Sequence, residues 1–322
     1  MSAYLKSYEN CRLCPRQCGA DRTGFSKSGL PGFCGLDHEL RIAHIGPHFG
    51  EEPPISGVNG SGTIFFSGCT LKCSYCQNYQ ISKEGLGERL TLDELFIKTS
   101  EMIDEHKVHN INFVTPDHFF IHTQRLVMLL RDKGYYLPIV YNLSGYQSED
   151  ILKGIEGNAD IYLPDFKYSD HELAMTFSKA GEYPDIALGA ISEMIRQKGF
   201  LDSVENESEP ARKGVLVRHL ILPGKVENSL GVLTALFLEF GSKLPISLMS
   251  QYQPVIKHKD EDLNRRITRK EFEKVYSHAL DLGFENLFVQ FPDEVDPDMK
   301  EGLPFLPDFR RQEPFSGNSP DC

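Results

Sequence analysis

From about residue 63 onward, short apolar runs alternate with longer amphipathic stretches, and this predicts an α/β fold on a parallel sheet. Two further observations support that class. The candidate strands alternate with candidate helices, which implies βα units. Nearly every one is followed by a polar cluster, and in parallel α/β barrels ligands sit at the carboxyl ends of the strands. Six or seven βα units fit a full or partial (β/α) barrel, and a doubly wound open sheet fits the same periodicity.

Residues 1–60 are dense in Gly, Pro and Cys and read as a compact, loop-rich, metal-binding segment. Residues 61–292 read as the core domain, with strands over 63–67, 111–114, 138–141, 161–163, 215–222 and 246–249, and a seventh over 287–290. Helical patterns cover 91–106, 119–133, 184–198, 229–240 and 268–282. The first opens with Thr91-Leu92-Asp93-Glu94, a capping box, and in the last Phe272, Val275 and Ala279 share one face. Residues 198–210 are acidic and polar and read as a surface insertion. The tail 293–322, rich in Pro, Asp and Glu, reads as loosely ordered, with Cys322 a bystander.

The chain has 322 residues, 40% of them apolar, enough for a substantial core. A formal charge of −12 argues against broad electrostatic binding to nucleic acid or anionic membranes. No apolar run reaches the roughly 18 residues of a membrane helix, and Met1-Ser2-Ala3-Tyr4-Leu5-Lys6 lacks a signal-peptide core. The expected location is cytoplasmic, where cysteines serve as metal ligands rather than disulfides. Seven of the eight cysteines lie before residue 77, a clustering that core packing does not explain.

Gly68-Cys69-Thr70-Leu71-Lys72-Cys73-Ser74-Tyr75-Cys76 follows the apolar run Thr63-Ile64-Phe65-Phe66 and sets three cysteines at C-x3-C-x2-C spacing on a loop leaving a strand. Iron–sulfur clusters are held by closely spaced thiolates, most often four. Three thiolates bind three irons of a 4Fe–4S cluster and leave the fourth open to a non-protein ligand. Zinc sites instead pair two C-x2-C motifs or add histidines. The spacing, Tyr75 and the upstream glycine resemble the signature of the radical S-adenosylmethionine (SAM) superfamily. The resemblance implies that SAM chelates the open iron. One-electron reduction then yields methionine and a 5′-deoxyadenosyl radical that abstracts hydrogen.

Polar clusters follow the other strands: Thr115-Pro116-Asp117-His118, Asn142-Leu143-Ser144-Gly145-Tyr146, Pro164-Asp165-Phe166-Lys167-Tyr168, Arg218-His219 and Ser250-Gln251-Tyr252-Gln253. Six in register point to a shared site. Thr115, Asn142 and Ser144 suit the amine and ribose of SAM. Lys167 or Arg218 suits its carboxylate, and Tyr75 can cover the adenine. Lys167 with Asp165 also reads as a plain ion pair. His118 and His219 read equally as substrate contacts or as structural histidines.

Leu163-Pro164-Asp165-Phe166-Lys167 looks like the Asp-Leu-Lys segment of glycyl-radical-enzyme activases, and Val217-Arg218-His219-Leu220-Ile221-Leu222-Pro223-Gly224 looks like their Arg-Tyr-Val-Val-Val-Pro-Gly strand. From about residue 11 to about residue 290 the chain resembles the branch related to the pyruvate formate-lyase activating enzyme. That resemblance implies a partial (β/α)6 barrel with a Cys-rich N-terminal extension and a flavodoxin or ferredoxin as reductant. It departs from the family in three places. Thr115-Pro116-Asp117 stands where a Gly-Gly-Glu segment holds the SAM amine, so Asp117 or the Thr115 hydroxyl takes that contact. Asn142 stands at the activases' Asp-Thr pair, which leaves a monovalent cation at Asn142 and Asp165 open. Gln251-Tyr252-Gln253 replaces Pro-Tyr-His.

Cys11, Cys14, Cys18 and Cys34 form C-x2-C-x3-C-x15-C, a closed set that suits zinc or an auxiliary 4Fe–4S cluster. Nearby His44, His48, Glu51 and Glu52 read as solvated surface, with a place in a metal or substrate site as the alternative. The expected function is an oxygen-sensitive radical SAM enzyme, with a protein glycine as the leading substrate, and a small molecule or peptide as the rival. A non-catalytic Fe–S or zinc electron carrier or scaffold is the competing class. Nucleic-acid binding is disfavoured by the charge.

Overall fold

The computed structural model describes residues 6–24, 32–202, 209–292 and 306–315. In chain order the elements are α1 (Lys6–Glu9), β1 (Leu40–His48), α2 (Pro53–Ser56), β2 (Ser61–Phe66), α3 (Tyr79–Ser82), β3 (Glu88–Leu90) and α4 (Leu92–His106). Next come β4 (Ile111–Val114), α5 (Phe120–Asp132), β5 (Ile139–Leu143), α6 (Glu149–Ile155), β6 (Ile161–Pro164), α7 (His171–Ser178) and α8 (Tyr183–Lys198). The last are β7 (Gly214–Val215), β8 (Val217–Leu220), α9 (Val226–Phe240), β9 (Ile246–Met249), α10 (Arg269–Leu282) and β10 (Leu287–Val289).

Strands run in the order β3-β1-β2-β4-β5-β6-β7, and β8-β9-β10 forms a second group. The two groups join because β8 continues β7 after one residue and Arg218 bridges Asp165 at the end of β6. From β2 onward every pairing is parallel, while β1 runs antiparallel to both β2 and β3. Side chains alternate across the sheet. Tyr141 and Tyr162 join the main core, while Val140, Ile161, Leu163 and Leu216 gather on the other face with Ile55 of α2 and Phe288 of β10. Residues of β5, β6 and β10 meet there, so the sheet curls around its own interior. Its two edge strands, β3 and β10, do not pair with each other. The result is an α/β partial barrel, with α2 inserted into the interior.

Thr91 and Glu94 form the expected capping box on α4, and Thr268 and Glu271 form another on α10. Three features depart from the expected pattern. Residues 40–48 form a nine-residue strand inside the segment expected to be loops, with Leu40 and Ile42 turned into the core. Helices α6 and α7 are too short for a 3.6-residue period to stand out; α7 is set by its N-cap, where the Asp170 carboxylate accepts from the Glu172 and Leu173 amides. The tail is anchored over 306–315. The Gln80 amide donates to Asp308 at 2.9 Å and accepts from the Phe309 amide at 2.7 Å, and buried Phe309 packs on Phe65 at 5.3 Å. Residues 293–305 and 316–322, with Cys322, lie outside the described residues, as do 203–208 of the expected insertion. No described helix is long and apolar enough to cross a membrane.

Candidate active site

The loop after β2 turns at Gly68, where φ is 80°. A Cβ there would stand 2.8 Å from Leu36 Cδ1 and 3.1 Å from the Cys34 carbonyl, so glycine lets the loop lie against the N-terminal segment. Cys69 and Cys73 are buried and Cys76 partly so, and all three line one cavity. The Leu71 and Lys72 amides point at Cys69 Sγ from 3.4 and 3.5 Å, and the Ser82 hydroxyl donates to Cys76 Sγ at 3.3 Å. Burial, with Cys73 next, pushes the Cys69 thiol up to about 12 and raises Cys76 as well. Buried thiols resist ionisation, and metal charge that takes the place of their protons removes that resistance. The donor set therefore fits an iron–sulfur cluster.

The polar groups expected at the strand ends come together around the same cavity: Tyr75, Thr115, Asn142, Ser144, Asp165, Lys167 and Arg218 all line it. Tyr75 meets Tyr168, Phe177 and Tyr252 edge to face at 6.4, 5.9 and 6.2 Å. Thr115 has φ of 56°, a left-handed conformation that costs a β-branched residue about 1–3 kcal/mol. This strained residue stands where the resembled family keeps glycines. Gly145, at φ 78°, has no alternative, because a Cβ would fall 2.1 Å from the Asp165 carbonyl oxygen. Lys167 Nζ lies 2.5 Å from Asp165 Oδ2. Burial works against the ammonium, but Asp165 outweighs it and holds Lys167 protonated well above its ordinary range.

Arg218 departs from its expected role. Its guanidinium donates to both oxygens of Glu52 and to Glu51, so it already carries two carboxylates and is not free to receive that of SAM. The cause is the β1–β2 connection, which folds beneath the sheet through α2. Glu51 and Glu52 are accordingly buried, not solvated. Burial would raise Glu52, but Arg218 overrides it and holds the carboxyl below the ordinary range. Glu51 Oε1 accepts from Asn112 Nδ2 at 2.9 Å.

The histidines divide. His219 is held through both nitrogens, Nδ1 at 2.7 Å from the Phe166 carbonyl and Nε2 at 2.9 Å from Ser229 Oγ, and so serves structure. His118 is buried under the cysteine loop with Nε2 on the Ser67 carbonyl, and burial lowers it to about 3. Sequence reasoning missed His258, whose Nε2 lies 2.8 Å from Ser74 Oγ inside the cysteine motif. It sits five residues beyond the Gln251-Tyr252-Gln253 segment, where no spacing rule marks it. Asp117 is fully buried; burial lifts it to about 6, and its Oδ2 has no partner among the described residues. It does not line the cavity.

Cys11 and Cys34 are buried, Cys14 is intermediate and Cys18 exposed. A Cβ at Gly32 would lie 3.5 Å from both Cys18 Sγ and Cys34 Sγ, and Cys14, raised to about 12 chiefly by burial, also feels Asp117, Cys11 and Cys34. The four thiols therefore share one neighbourhood. Among the described residues, no three His, Cys, Asp or Glu side chains already meet at the spacing of a single-ion site. Arg22 ties this segment to the barrel. It donates to the carbonyls of Leu36 at 2.9 Å, His118 at 2.9 Å and Asp37 at 2.8 Å, lies 3.6 Å from Cys11 Sγ, and stacks on Tyr8 and Phe119. Arg22→Met should cost about 3 kcal/mol in urea denaturation, because buried acceptors lose their donors. A loss below about 1 kcal/mol would contradict this role.

Comparison with known proteins places the chain. The model of the radical SAM superfamily matches residues 63–207. The uncharacterised protein MJ0674 of Methanocaldococcus jannaschii is 30% identical over 285 residues, 84% of this chain and 75% of that protein. The chain belongs to the radical SAM superfamily, and that family implies a 4Fe–4S cluster and SAM. Among solved structures, HydG, a maturase of the FeFe-hydrogenase, shares the fold with a TM-score of 0.50 at 15% identity over 71% of this chain. The chain spans about half of HydG, 51% of its length. Methylornithine synthase is similar at a TM-score of 0.42 and 16% identity, over 75% of this chain and 74% of its own.

Proposed function

We propose that this protein cleaves SAM reductively at a 4Fe–4S cluster held by Cys69, Cys73 and Cys76, and abstracts hydrogen from a substrate in the adjoining cavity. The observation that carries the reading is that these three thiols share one cavity with polar groups from five further strand ends. When bound, the cluster and SAM supply a one-electron cleavage to methionine and a 5′-deoxyadenosyl radical. The chain's own residues position and enclose. The Leu71 and Lys72 amides and the Ser82 hydroxyl steady the sulfurs. Tyr75, with Tyr252 against it, forms a ring surface suited to an adenine. Thr115, Asn142 and Ser144 offer donors and acceptors for an amine and a diol. Lys167 remains the cation for a carboxylate, at the cost of sharing it with Asp165. Pro307 and Phe315 of the anchored tail help to wall off water.

A second metal at Cys11, Cys14, Cys18 and Cys34 belongs to this reading, as does reduction by a flavodoxin or ferredoxin. Activation of a glycyl radical enzyme is the special case in which the hydrogen comes from a peptide glycine. The test is anaerobic reconstitution with iron and sulfide, addition of dithionite and SAM, and chromatography of the products. 5′-Deoxyadenosine in excess over protein is expected; its absence from a protein with a full iron complement sinks the reading.

A further inference from the structure

We propose that Cys11, Cys14, Cys18 and Cys34 hold a second 4Fe–4S cluster that stores one electron and passes it to the cluster on the Cys69–Cys73–Cys76 loop. The inference rests on the reading above and gives the second metal an identity and a task. Arg22 is 2% exposed, and its guanidinium donates to three backbone carbonyls and, at 3.6 Å, to Cys11 Sγ. No carboxylate pairs with it among the described residues; the negative groups that act on it most strongly are the Cys34 and Cys11 sulfurs. A buried cation is costly unless an anion balances it, and metal-bound thiolates supply that anion. Lys72 adds a second cation: its Nζ lies 2.9 Å from the place a Cβ would take at Gly35, the residue after Cys34.

The set also lies against the catalytic loop. The Cys34 carbonyl stands 3.1 Å from the Cβ position of Gly68, the residue before Cys69. Arg16, two residues after Cys14, donates through Nε to the Thr70 carbonyl at 3.1 Å, and Thr70 follows Cys69. Two packed contacts thus join the neighbourhood of one set to that of the other, the short path that electron transfer needs. The N-terminal set also reaches solvent: of the described cysteines only Cys18 is exposed, while Cys69 and Cys73 are buried. Neither thiol set meets at single-ion spacing among the described residues, which suits a multi-iron core rather than one zinc ion. Zinc has no redox chemistry, whereas an iron–sulfur potential responds to net charge and to hydrogen bonds on its sulfurs. Arg22 and Lys72 favour the reduced, more negative form. One electron from a low-potential protein donor reduces the N-terminal cluster. It crosses to the catalytic cluster and enters the SAM sulfonium, where the S–C5′ bond breaks into methionine and the 5′-deoxyadenosyl radical.

The test counts electrons. The full chain, reconstituted anaerobically with iron and sulfide, is reduced completely with titanium(III) citrate, desalted and mixed with excess SAM. Each cleavage consumes one electron, so the wild type should yield about two 5′-deoxyadenosines per chain and Cys14→Ala about one. A variant with Cys69→Ala, Cys73→Ala and Cys76→Ala should keep about four irons and give the electron paramagnetic resonance signal of the N-terminal cluster in isolation. In the wild type that signal should vanish on addition of SAM; in the triple variant it should persist. One 5′-deoxyadenosine per chain in the wild type, with the signal left standing, overturns the relay. Zinc in the triple variant, or no iron, overturns it too. Should either variant fail to fold, the wild-type yield still decides. No cleavage at all from a protein whose catalytic cluster is reduced sinks the radical reading itself; a yield of one sinks only the relay.

Discussion

Alanine at Cys73 is expected to bring reductive SAM cleavage down to the protein-free background. Cys73 is the middle thiol of the loop, buried, and both flanking thiols feel it electrostatically. Removing it leaves two sulfurs on a loop whose backbone is already committed: Gly68 is pressed against Leu36, and Lys72 is held at φ 53°. No other cysteine lines that cavity among the described residues, so the loop has no substitute donor. Alanine at Cys14 should behave differently. Cys14 belongs to the N-terminal set and does not line the cavity, so at least part of the cleavage should survive. 5′-Deoxyadenosine formation under excess dithionite reads both variants. Full turnover in Cys73→Ala contradicts the assignment of the loop.

Arg218→Met is expected to cost about 3–5 kcal/mol of stability near neutral pH, because it leaves buried carboxylates without their cation. The pH dependence gives the sharper signature. In the wild type Arg218 holds the Glu52 carboxyl below its unfolded value. A depressed carboxyl contributes stability that is present above its unfolded pKa and lost as pH falls through the folded one. In the variant the sign reverses. Glu52, buried beside Glu51 without the guanidinium, takes up its proton more readily folded than unfolded, so acidification relieves the strain. The gap between variant and wild type should shrink from pH 7 to about pH 5 in urea denaturation. A gap that widens on acidification, or a loss below about 1 kcal/mol, contradicts the ion-pair account.

Much of this molecule is legible in the sequence because its signals are local. The C-x3-C-x2-C spacing fixes where three thiols sit on a loop, and Thr91-Leu92-Asp93-Glu94 announces a helix start. The parallel strands 111–114 and 246–249 read from short, mostly apolar runs, each broken by one polar residue, Asn112 or Ser247. What stayed hidden depends on the path of the chain. The β1–β2 connection carries polar Glu51-Glu52 beside prolines, and nothing in that stretch says that it turns inward to meet Arg218 from 166 residues away. Arg218 therefore reads as a free cation until its partners are seen. Strand β1 is masked by the Gly, Pro and Cys around it and by a bulge between Ile42 and His44. Phe309 and Phe315 stand singly in a polar, proline-bearing tail, so no period reveals that they pack on Phe65. His258 reaches Ser74 across 184 residues, again without a local mark.

The central claim is that the Cys69, Cys73 and Cys76 thiolates leave one iron of their cluster for SAM. The most direct measurement is Mössbauer spectroscopy of protein reconstituted with iron-57, in the Cys14→Ala background to remove overlap from the N-terminal set, recorded without and with saturating SAM. A single iron site that changes its spectrum on addition of SAM is the predicted result. Four iron sites indifferent to SAM would contradict the account.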